Sequence, residues 1–251
     1  MPKDILAPGF FYSHYFTKIV FIIPARGNSK SIKYKNMLKY RGESLVMRAA
    51  EQAISAKFRL RDKYNTDFAI VVTSEDSMIL QHAALLPLMT LHRPEELSMD
   101  DVQVDEVVPF TLRTLMINGE IENPRKTLTV VLQPTSIFRT VENIVDAIEQ
   151  WFQYMAENNV NLSLMSGHLD SRFFYLYDHP MEAANHDPSI RTGRQDWEPN
   201  IFIENGAIYI ALASEILTHR TFRHDPIYPF LMNEGDSLEL DEPEDLEGLD
   251  I

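Results

Sequence analysis

The chain of 251 residues contains no cysteine. Disulfide bonds and metal sites built from thiolates are therefore excluded, and this composition is consistent with a reducing compartment. No apolar run is long enough to span a membrane, and the N-terminus lacks the basic region and continuous apolar stretch of a signal peptide. We therefore expect a cytoplasmic protein that makes no use of a membrane.

Positive charge is also scarce. Lys and Arg number 23 against 37 Asp and Glu, which gives a formal net charge of -14. A nucleic-acid-binding protein needs a basic face, so this balance argues against nucleic acid as a general partner. The acids are concentrated near the end of the chain, where residues 234–251 include nine acids and no Lys or Arg.

Two common phosphate-binding motifs, GxxxxGK[ST] and GxGxxG, are absent. Residues 19–36, IVFIIPARGNSKSIKYKN, offer another candidate, an apolar run that opens into a polar loop. The loop carries four cations, Arg26, Lys30, Lys33 and Lys35. Gly27 would let a phosphate approach the backbone closely, and Arg26 and Lys35 would bind its oxygens. The residues alone also allow a solvated basic turn, and they leave open whether this loop faces the acidic end across one site.

Apolar runs of strand length alternate with amphipathic helical patterns. The predicted strands are residues 19–23, 68–73, 128–133, 162–165, 207–211 and 227–232, and the predicted helices are residues 44–57, 77–86, 102–118 and 141–158. This alternation predicts an α/β fold with a mainly parallel sheet, in which ligands bind beyond the carboxyl ends of the strands. Residues 168–200 break the pattern, which is typical of a functional loop or a subdomain.

Two acids near the C-terminus are candidate metal ligands. Glu239 and Asp241 are two residues apart on a predicted strand, so both side chains are expected on one face. Two carboxylates can hold Mg²⁺ together with substrate phosphates and water. Acids are so dense in this segment that a solvated acidic face is the alternative.

Five segments, in order, resemble the sialic-acid-type cytidylyltransferases, the CMP-N-acylneuraminate synthetases. They are IPARGNSKSIKYKN (23–36), LHRPEEL (91–97), LQPTSIFRT (132–140), ENGAIYI (204–210) and SLELDEPEDL (237–246). The resemblance implies a Rossmann-like nucleotidyltransferase sheet with helices on both faces. It divides the chain into an aromatic N-terminal arm (1–17) and one domain (18–251), with a dimerisation and sugar-site insertion at about 168–200.

The resemblance also implies a role for each matching residue. The implied catalytic residues are Arg26, Lys35 and Asp241, and the implied Mg²⁺ ligands are Asp241 and Glu239. The implied nucleotide contacts are Arg26, Gly27, Ser29, Lys30, Asn36 and Arg93. The implied sugar contacts are Gln133, Ser136, Arg139, Arg194, Asn205 and Tyr209. The expected reaction transfers CMP from CTP to the anomeric hydroxyl of a nonulosonic acid and releases pyrophosphate, and a homodimer is expected.

Three departures from the family pattern keep alternatives open. Ser31 stands where the family usually has Gly, Glu239 replaces its first Asp, and its His-Pro pair is missing near His168. One alternative is a cytidylyltransferase for an eight-carbon keto sugar acid. Others are a non-catalytic nucleotide-binding relative, or a scaffold that assembles through the arm and the 168–200 segment.

Overall fold

The computed structural model describes residues 15–27, 29, 31–176, 182–187, 189 and 201–249. The strands within them are β1 (Lys18–Pro24), β2 (Lys39–Tyr40), β3 (Glu43–Ser44), β4 (Asp67–Ser74), β5 (Met89–His92), β6 (Thr127–Leu132), β7 (Ser163–Asp170), β8 (Tyr175–Leu176), β9 (Glu182–Ala183), β10 (Ile201–Leu212) and β11 (Ile227–Leu231). The α-helices are α1 (Leu45–Arg61), α2 (Ser77–Ala83), α3 (Val104–Ile117), α4 (Val141–Asn158) and α5 (Ala213–His219).

Seven of the described strands form one sheet in the order β11-β7-β10-β6-β1-β4-β5. Pairing is parallel between β1 and β4, β1 and β6, β4 and β5, and β7 and β11. Only β10 in this sheet runs antiparallel to its neighbours, β6 and β7. The predicted mainly parallel sheet is confirmed, with one reversed strand near its middle.

Helices cover both faces of this sheet, as predicted. On one face α1 and α4 bury residues such as Ala53 and Trp151, and on the other α3 and α5 bury Leu112 and Ile216. A strand covered on both faces is apolar without alternation, and all six residues of β6 are buried. The continuous apolar runs in the sequence are therefore explained by helices on both sides.

Local sequence sets where the longer helices begin. The Ser44 hydroxyl accepts a hydrogen bond from the backbone N–H of Met47 at the start of α1 (3.4 Å). At the start of α4, Thr140 and Asn143 each accept a bond from the other's backbone N–H, a reciprocal capping box. Ser and Thr are residue types typical of helix N-caps, and α4 has the predicted bounds.

The end of the N-terminal arm packs against the domain. The Phe16 ring is buried, with its centroid 5.4 Å from that of Trp151 and 5.3 Å from that of Phe152. The rest of the predicted arm, residues 1–14, lies outside the described residues. Within the described residues, no helix has both the length and the apolar character needed to cross a membrane.

Three local predictions need correction. Residues 89–92 form the edge strand β5, where no strand was predicted. The dipeptide Asn205–Gly206, whose sequence alone is typical of a turn, lies inside β10, where Gly206 has φ of +66° and the pairing register shifts between Glu204 and Tyr209. A glycine with positive φ in a strand permits such an irregularity without reversing the chain. Residues 237–241 form no strand.

Candidate functional site

A cavity of about 530 Å³ opens beyond the carboxyl ends of β1, β5 and β6. This is the edge of a parallel sheet where ligands are expected. The sequence-predicted residues that line it are Arg26, Ser29, Lys35, Asn36, Arg93, Gln133, Tyr209 and Asp241. Segments far apart in the chain thus meet at one cavity.

Hydrogen bonds to backbone carbonyl oxygens hold the loop after β1 in shape. The backbone N–H of Ala25 donates to the Thr73 carbonyl (3.0 Å), and the Asn36 side-chain amide donates to the Arg26 carbonyl (2.8 Å). Gly27 has no room for a side chain, because a Cβ there would lie 2.4 Å from Oδ2 of Asp76. Asn36 and Gly27 therefore shape the loop, while Arg26 extends into the cavity lining.

The basic loop and the acidic segment meet directly. Lys35 Nζ lies 3.0 Å from Oδ1 and 3.2 Å from the carbonyl oxygen of Asp241. The Ser31 hydroxyl donates to the same carbonyl, a bond that the family's usual glycine could not make. The acidic segment is anchored by buried Leu240, whose backbone N–H donates to the Thr135 carbonyl (3.1 Å). Of the two arrangements that the sequence allowed, the structure has the loop and the acids at one site.

Glu239 is the more buried of the two acids. Its Oε1 accepts a hydrogen bond from the Thr135 hydroxyl (2.8 Å), and its carboxylate lies over Gly206, where a Cβ would come within 2.7 Å of Oε2. Burial, and then the negative charge of Asp241, raise the pKa of Glu239 to about 7. A buried carboxylate whose pKa is raised by a neighbouring carboxylate marks a place where a cation would be stabilising.

The donor set fits Mg²⁺ only if the substrate completes it. The described residues contain no group of three or more His, Cys, Asp or Glu that could hold a metal ion. Mg²⁺ commonly takes one or two carboxylates and fills its remaining positions with phosphate oxygens and water. Asp241 offers one carboxylate in the cavity lining, where Lys35 already binds one of its oxygens, whereas Glu239, the second predicted ligand, is outside that lining.

Glu75 is a site residue that the sequence reasoning missed. Its carboxylate accepts from the Gly27 N–H (2.7 Å), the Ser98 hydroxyl (2.6 Å) and the Arg93 guanidinium (3.2 Å). Burial alone would raise the pKa of Glu75, but hydrogen bonds from Ser98 and the backbone and the charge of Arg93 lower it. One ionised carboxylate thus joins the loop after β1 to the wall that contains Arg93. Its own segment, TSED at residues 73–76, does not show this role.

Arg93 is held more tightly than an exposed nucleotide contact would be. It is 3% exposed, and it also donates to the Ser98 hydroxyl (2.8 Å) and the Thr73 carbonyl (3.3 Å). Its position at the cavity wall is therefore fixed before any ligand arrives.

Arg139 lies behind the wall of the cavity rather than in it. Its side chain is 1% exposed and donates to the carbonyls of Gln133 and Ala207, both at 2.8 Å, and to Oε1 of Gln52 at 2.9 Å. Burial lowers the pKa of Arg139 to about 9. The predicted direct sugar contact is corrected to a supporting position that fixes Gln133.

Asn205 and Ser136 are also absent from the lining. The Asn205 amide bonds the hydroxyls of Ser166 (2.7 Å) and Ser237 (2.9 Å), so it joins β10 to neighbouring segments. The Ser136 hydroxyl is buried without a partner among the described residues. The predicted Lys30 and Arg194 lie outside the described residues.

The sequence predicted only one residue of a second wall of the cavity. Tyr209 was predicted, but Asp105, Phe222 and Arg223 line the cavity beside it. The Arg223 guanidinium lies 2.6 Å from Asp105 Oδ2, and the Tyr209 hydroxyl donates to Glu204. Burial, and then the Glu204 hydrogen bond, raise the pKa of Tyr209. The partners Asp105 and Arg223 are 118 residues apart, so no local pattern could pair them.

Residues 20–248 match the family model described as cytidylyltransferase. The chain belongs to this family. It is 28% identical over 232 residues to an N-acylneuraminate cytidylyltransferase of Streptococcus agalactiae serotype V, with 91% of this chain and 51% of the relative covered. An N-acylneuraminate cytidylyltransferase of Escherichia coli O18:K1:H7 is 26% identical over 92% of this chain and 51% of its own length. The chain thus spans about half the length of these relatives.

Another relative is covered almost completely. The CMP-N,N'-diacetyllegionaminic acid synthase of Legionella pneumophila is 26% identical over 91% of this chain and 93% of its own length. Among solved structures, a CMP:2-keto-3-deoxy-manno-octonic acid synthetase complexed with CTP superposes with a TM-score of 0.59 at 13% identity, covering 92% of this chain and 96% of that one. The 4-diphosphocytidyl-2C-methyl-D-erythritol synthase of Anaerococcus prevotii gives 0.60 at 10% identity, covering 92% and 95%. These cytidylyltransferase structures establish the fold.

Proposed function

We propose that this chain transfers CMP from CTP to the anomeric hydroxyl of a nonulosonic acid, giving a CMP-sugar and pyrophosphate. The observation that carries the proposal is the contact of Lys35 with Asp241, 3.0 Å between Nζ and Oδ1, at a cavity that Arg26 also lines. A nucleotide with bound Mg²⁺ requires two kinds of protein group at one place. Positively charged side chains such as Lys35 bind the phosphates, and carboxylates bind the metal.

In this proposal the anomeric oxygen attacks the α-phosphorus of CTP, the bond from the α-phosphorus to the bridging oxygen breaks, and pyrophosphate leaves. Arg26 and Lys35 bind phosphate oxygens and offset the charge that develops on them. Asp241 and Glu239 would hold Mg²⁺, which when bound neutralises phosphate charge and favours deprotonation of the attacking hydroxyl. Glu75 holds Gly27 and Arg93 in place, so that the nucleotide meets a preformed loop.

The acceptor would lie on the side of Gln133 and Tyr209, both in the cavity lining. Arg139 fixes the Gln133 carbonyl and Asn205 fixes the β10 irregularity, so both support this side without lining it. The ligand contacts that the resemblance implies remain predictions for Ser29, Asn36, Lys30 and Arg194. A homodimer that completes the site with residues 168–200, and a cytoplasmic location, belong to the same proposal.

The relatives favour a nine-carbon acid, but not one particular acid. Two are named for N-acylneuraminate, whereas the one that this chain covers to 93% is named for diacetyllegionaminic acid. Legionaminic acid is therefore the second candidate acceptor, and an eight-carbon keto acid is the third.

The test is pyrophosphate release by the purified protein with CTP, Mg²⁺ and a panel of sialic, legionaminic, pseudaminic and eight-carbon keto acids. Release with one acid supports the proposal and names the acceptor. CTP binding without release from any acid would indicate a non-catalytic relative, and absence of CTP binding would favour a scaffold.

Two variants test the assigned roles. Lys35→Ala and Asp241→Ala should each abolish turnover while the protein remains folded by circular dichroism. Lys33→Ala is the matched control, because Lys33 is an exposed cation of the same loop that lies outside the cavity lining. Near-normal turnover in Lys35→Ala or Asp241→Ala would contradict the assignment.

A further inference from the structure

The cavity has a wall of which the roles above use only Tyr209. We call it the polar wall and define it as Asp105, Glu204, Tyr209, Phe222 and Arg223. It combines the first turn of α3, the middle of β10 and the segment after α5. All of its members except Glu204 line the cavity.

Arg223 is the centre of this wall. Its guanidinium lies 2.6 Å from Asp105 Oδ2 and 3.4 Å from Glu204 Oε1. Its central carbon lies 5.4 Å from the centroid of the Phe222 ring. The Thr221 hydroxyl donates to Asp105 as well, which fixes that carboxylate from a second side. The guanidinium is thus held in one orientation before an acceptor binds.

The held guanidinium still has donors to offer. Arginine has five N–H donors, and the two bonds to Asp105 and Glu204 leave the other three without a partner among the described residues. Arg223 is one-third exposed and lines the cavity, so these donors can reach a ligand. The carboxylates beside it supply acceptors at the same place.

The charge of the polar wall restricts what it can bind. Asp105 and Glu204 together carry two negative charges against the one positive charge of Arg223. Burial alone would lower the pKa of Arg223, but Asp105 and then Glu204 raise it, so the guanidinium remains charged. A substrate carboxylate here would be the third carboxylate around one guanidinium, and its repulsion from the other two would oppose binding. The wall therefore suits neutral groups.

Vicinal hydroxyl groups match this arrangement. Each hydroxyl both donates and accepts a hydrogen bond, so a polyol can bind Arg223 and an adjacent carboxylate together. The rings of Tyr209 and Phe222, with centroids 4.5 Å apart, provide an apolar surface for the carbon chain beside those hydroxyls. We propose that Arg223 is a specificity-determining residue that binds the hydroxylated exocyclic chain of the acceptor. This inference rests on the proposed function.

The test compares two acceptors and two arginines. The acceptors are the acid that the wild-type protein uses and the same acid with its exocyclic polyol shortened by periodate cleavage and borohydride reduction. The variants are Arg223→Met and, as the matched control, Arg220→Met, because Arg220 is an exposed arginine just before the wall and outside the cavity lining. Wild type and Arg220→Met should prefer the intact acid by about tenfold in kcat/KM, the value of one or two hydrogen bonds.

Arg223→Met should lose that preference while its Kd for CTP stays unchanged. Arg223→Lys keeps a positive charge beside Asp105 but loses the fork of donors, so it should fold like the wild type and still lose most of the preference. Asp105→Asn, which keeps the side-chain shape, should also reduce the preference. Loss of CTP binding in Arg223→Met would mark misfolding, and the decision would then rest on Arg223→Lys.

Two results would overturn this inference without affecting the proposed function. One is an unchanged preference for the intact acid in both Arg223 variants. The other is a loss that depends on the acid group, seen as a large effect on the free acid and none on its methyl ester, which would make Arg223 a carboxylate ligand. Failure of the wild-type protein to release pyrophosphate with any acid would instead overturn the proposed function, and this inference with it.

Discussion

Glu239→Gln is predicted to stabilise the metal-free protein above neutral pH. Glu239 lies over Gly206 and next to Asp241, and these surroundings raise its pKa from 4.5 to about 7. Glutamine has nearly the same shape, carries no charge, and keeps the oxygen that accepts from the Thr135 hydroxyl. The substitution thus removes the buried charge while leaving the packing in place.

The size and sign of the effect follow from proton linkage. The folded protein binds this proton more tightly than the unfolded chain, so the contribution of Glu239 to the free energy of unfolding falls as pH rises from 4.5 to about 7. A pKa difference of that size corresponds to about 3 kcal/mol. Below pH 4.5 the Glu239 carboxyl is protonated in both the folded and the unfolded state, so the variant and the wild type should be equally stable. Above about pH 7 the variant should be more stable by up to about 3 kcal/mol.

The measurement is urea unfolding across this pH range in the presence of a chelator. Glu244→Gln serves as the control, because Glu244 is an exposed acid of the same segment. A stability difference between Glu239→Gln and wild type that is the same at both ends of the pH range would refute the reasoning. Added Mg²⁺ should raise the stability of the wild type at high pH more than that of the variant.

Three further substitutions test the interior of the site. Arg139→Met should lower the free energy of unfolding by about 3 to 5 kcal/mol in urea titrations, since it leaves buried carbonyls without their donor. Gly27→Ala should raise KM for CTP and lower the melting temperature, because its Cβ would lie 2.4 Å from Oδ2 of Asp76; adding Asp76→Gly should restore part of the KM, and no restoration would contradict a steric cause. Glu75→Gln should raise KM for CTP about tenfold in steady-state kinetics with a smaller effect on kcat, because it weakens a charge-assisted hold on Arg93; an unchanged KM would exclude that role.

Local sequence patterns were enough to predict much of the fold. The bounds of α4 and its cap residue Thr140 were readable because both ends depend on neighbouring residues. The direction of β10 was not readable, because strand direction depends on a long connection rather than on a local pattern. The dipeptide Asn205–Gly206 is typical of a turn but lies inside a strand, since a glycine with positive φ serves a turn and a strand irregularity equally well.

The residues of the site also fall into those that the sequence could predict and those that it could not. Arg26, Lys35 and Asp241 could be proposed from charge and family resemblance, and the structure has all three at one cavity. Arg139 could not be located, because its partners are carbonyl oxygens that every residue possesses. Glu75 could not be recognised from its own segment, because its role arises only when Gly27 and Arg93 fold around it.

The strand order also separates two tasks along the sheet. The loop after β1 and Arg93 after β5 lie on one side of β6, whereas Glu204 and Tyr209 belong to β10 on the other. Under the proposed assignment, substitutions in β10 would reshape the acceptor side without changing a strand that pairs with β1 or β5. This strand order would allow the acceptor preference to change while the nucleotide side stays the same.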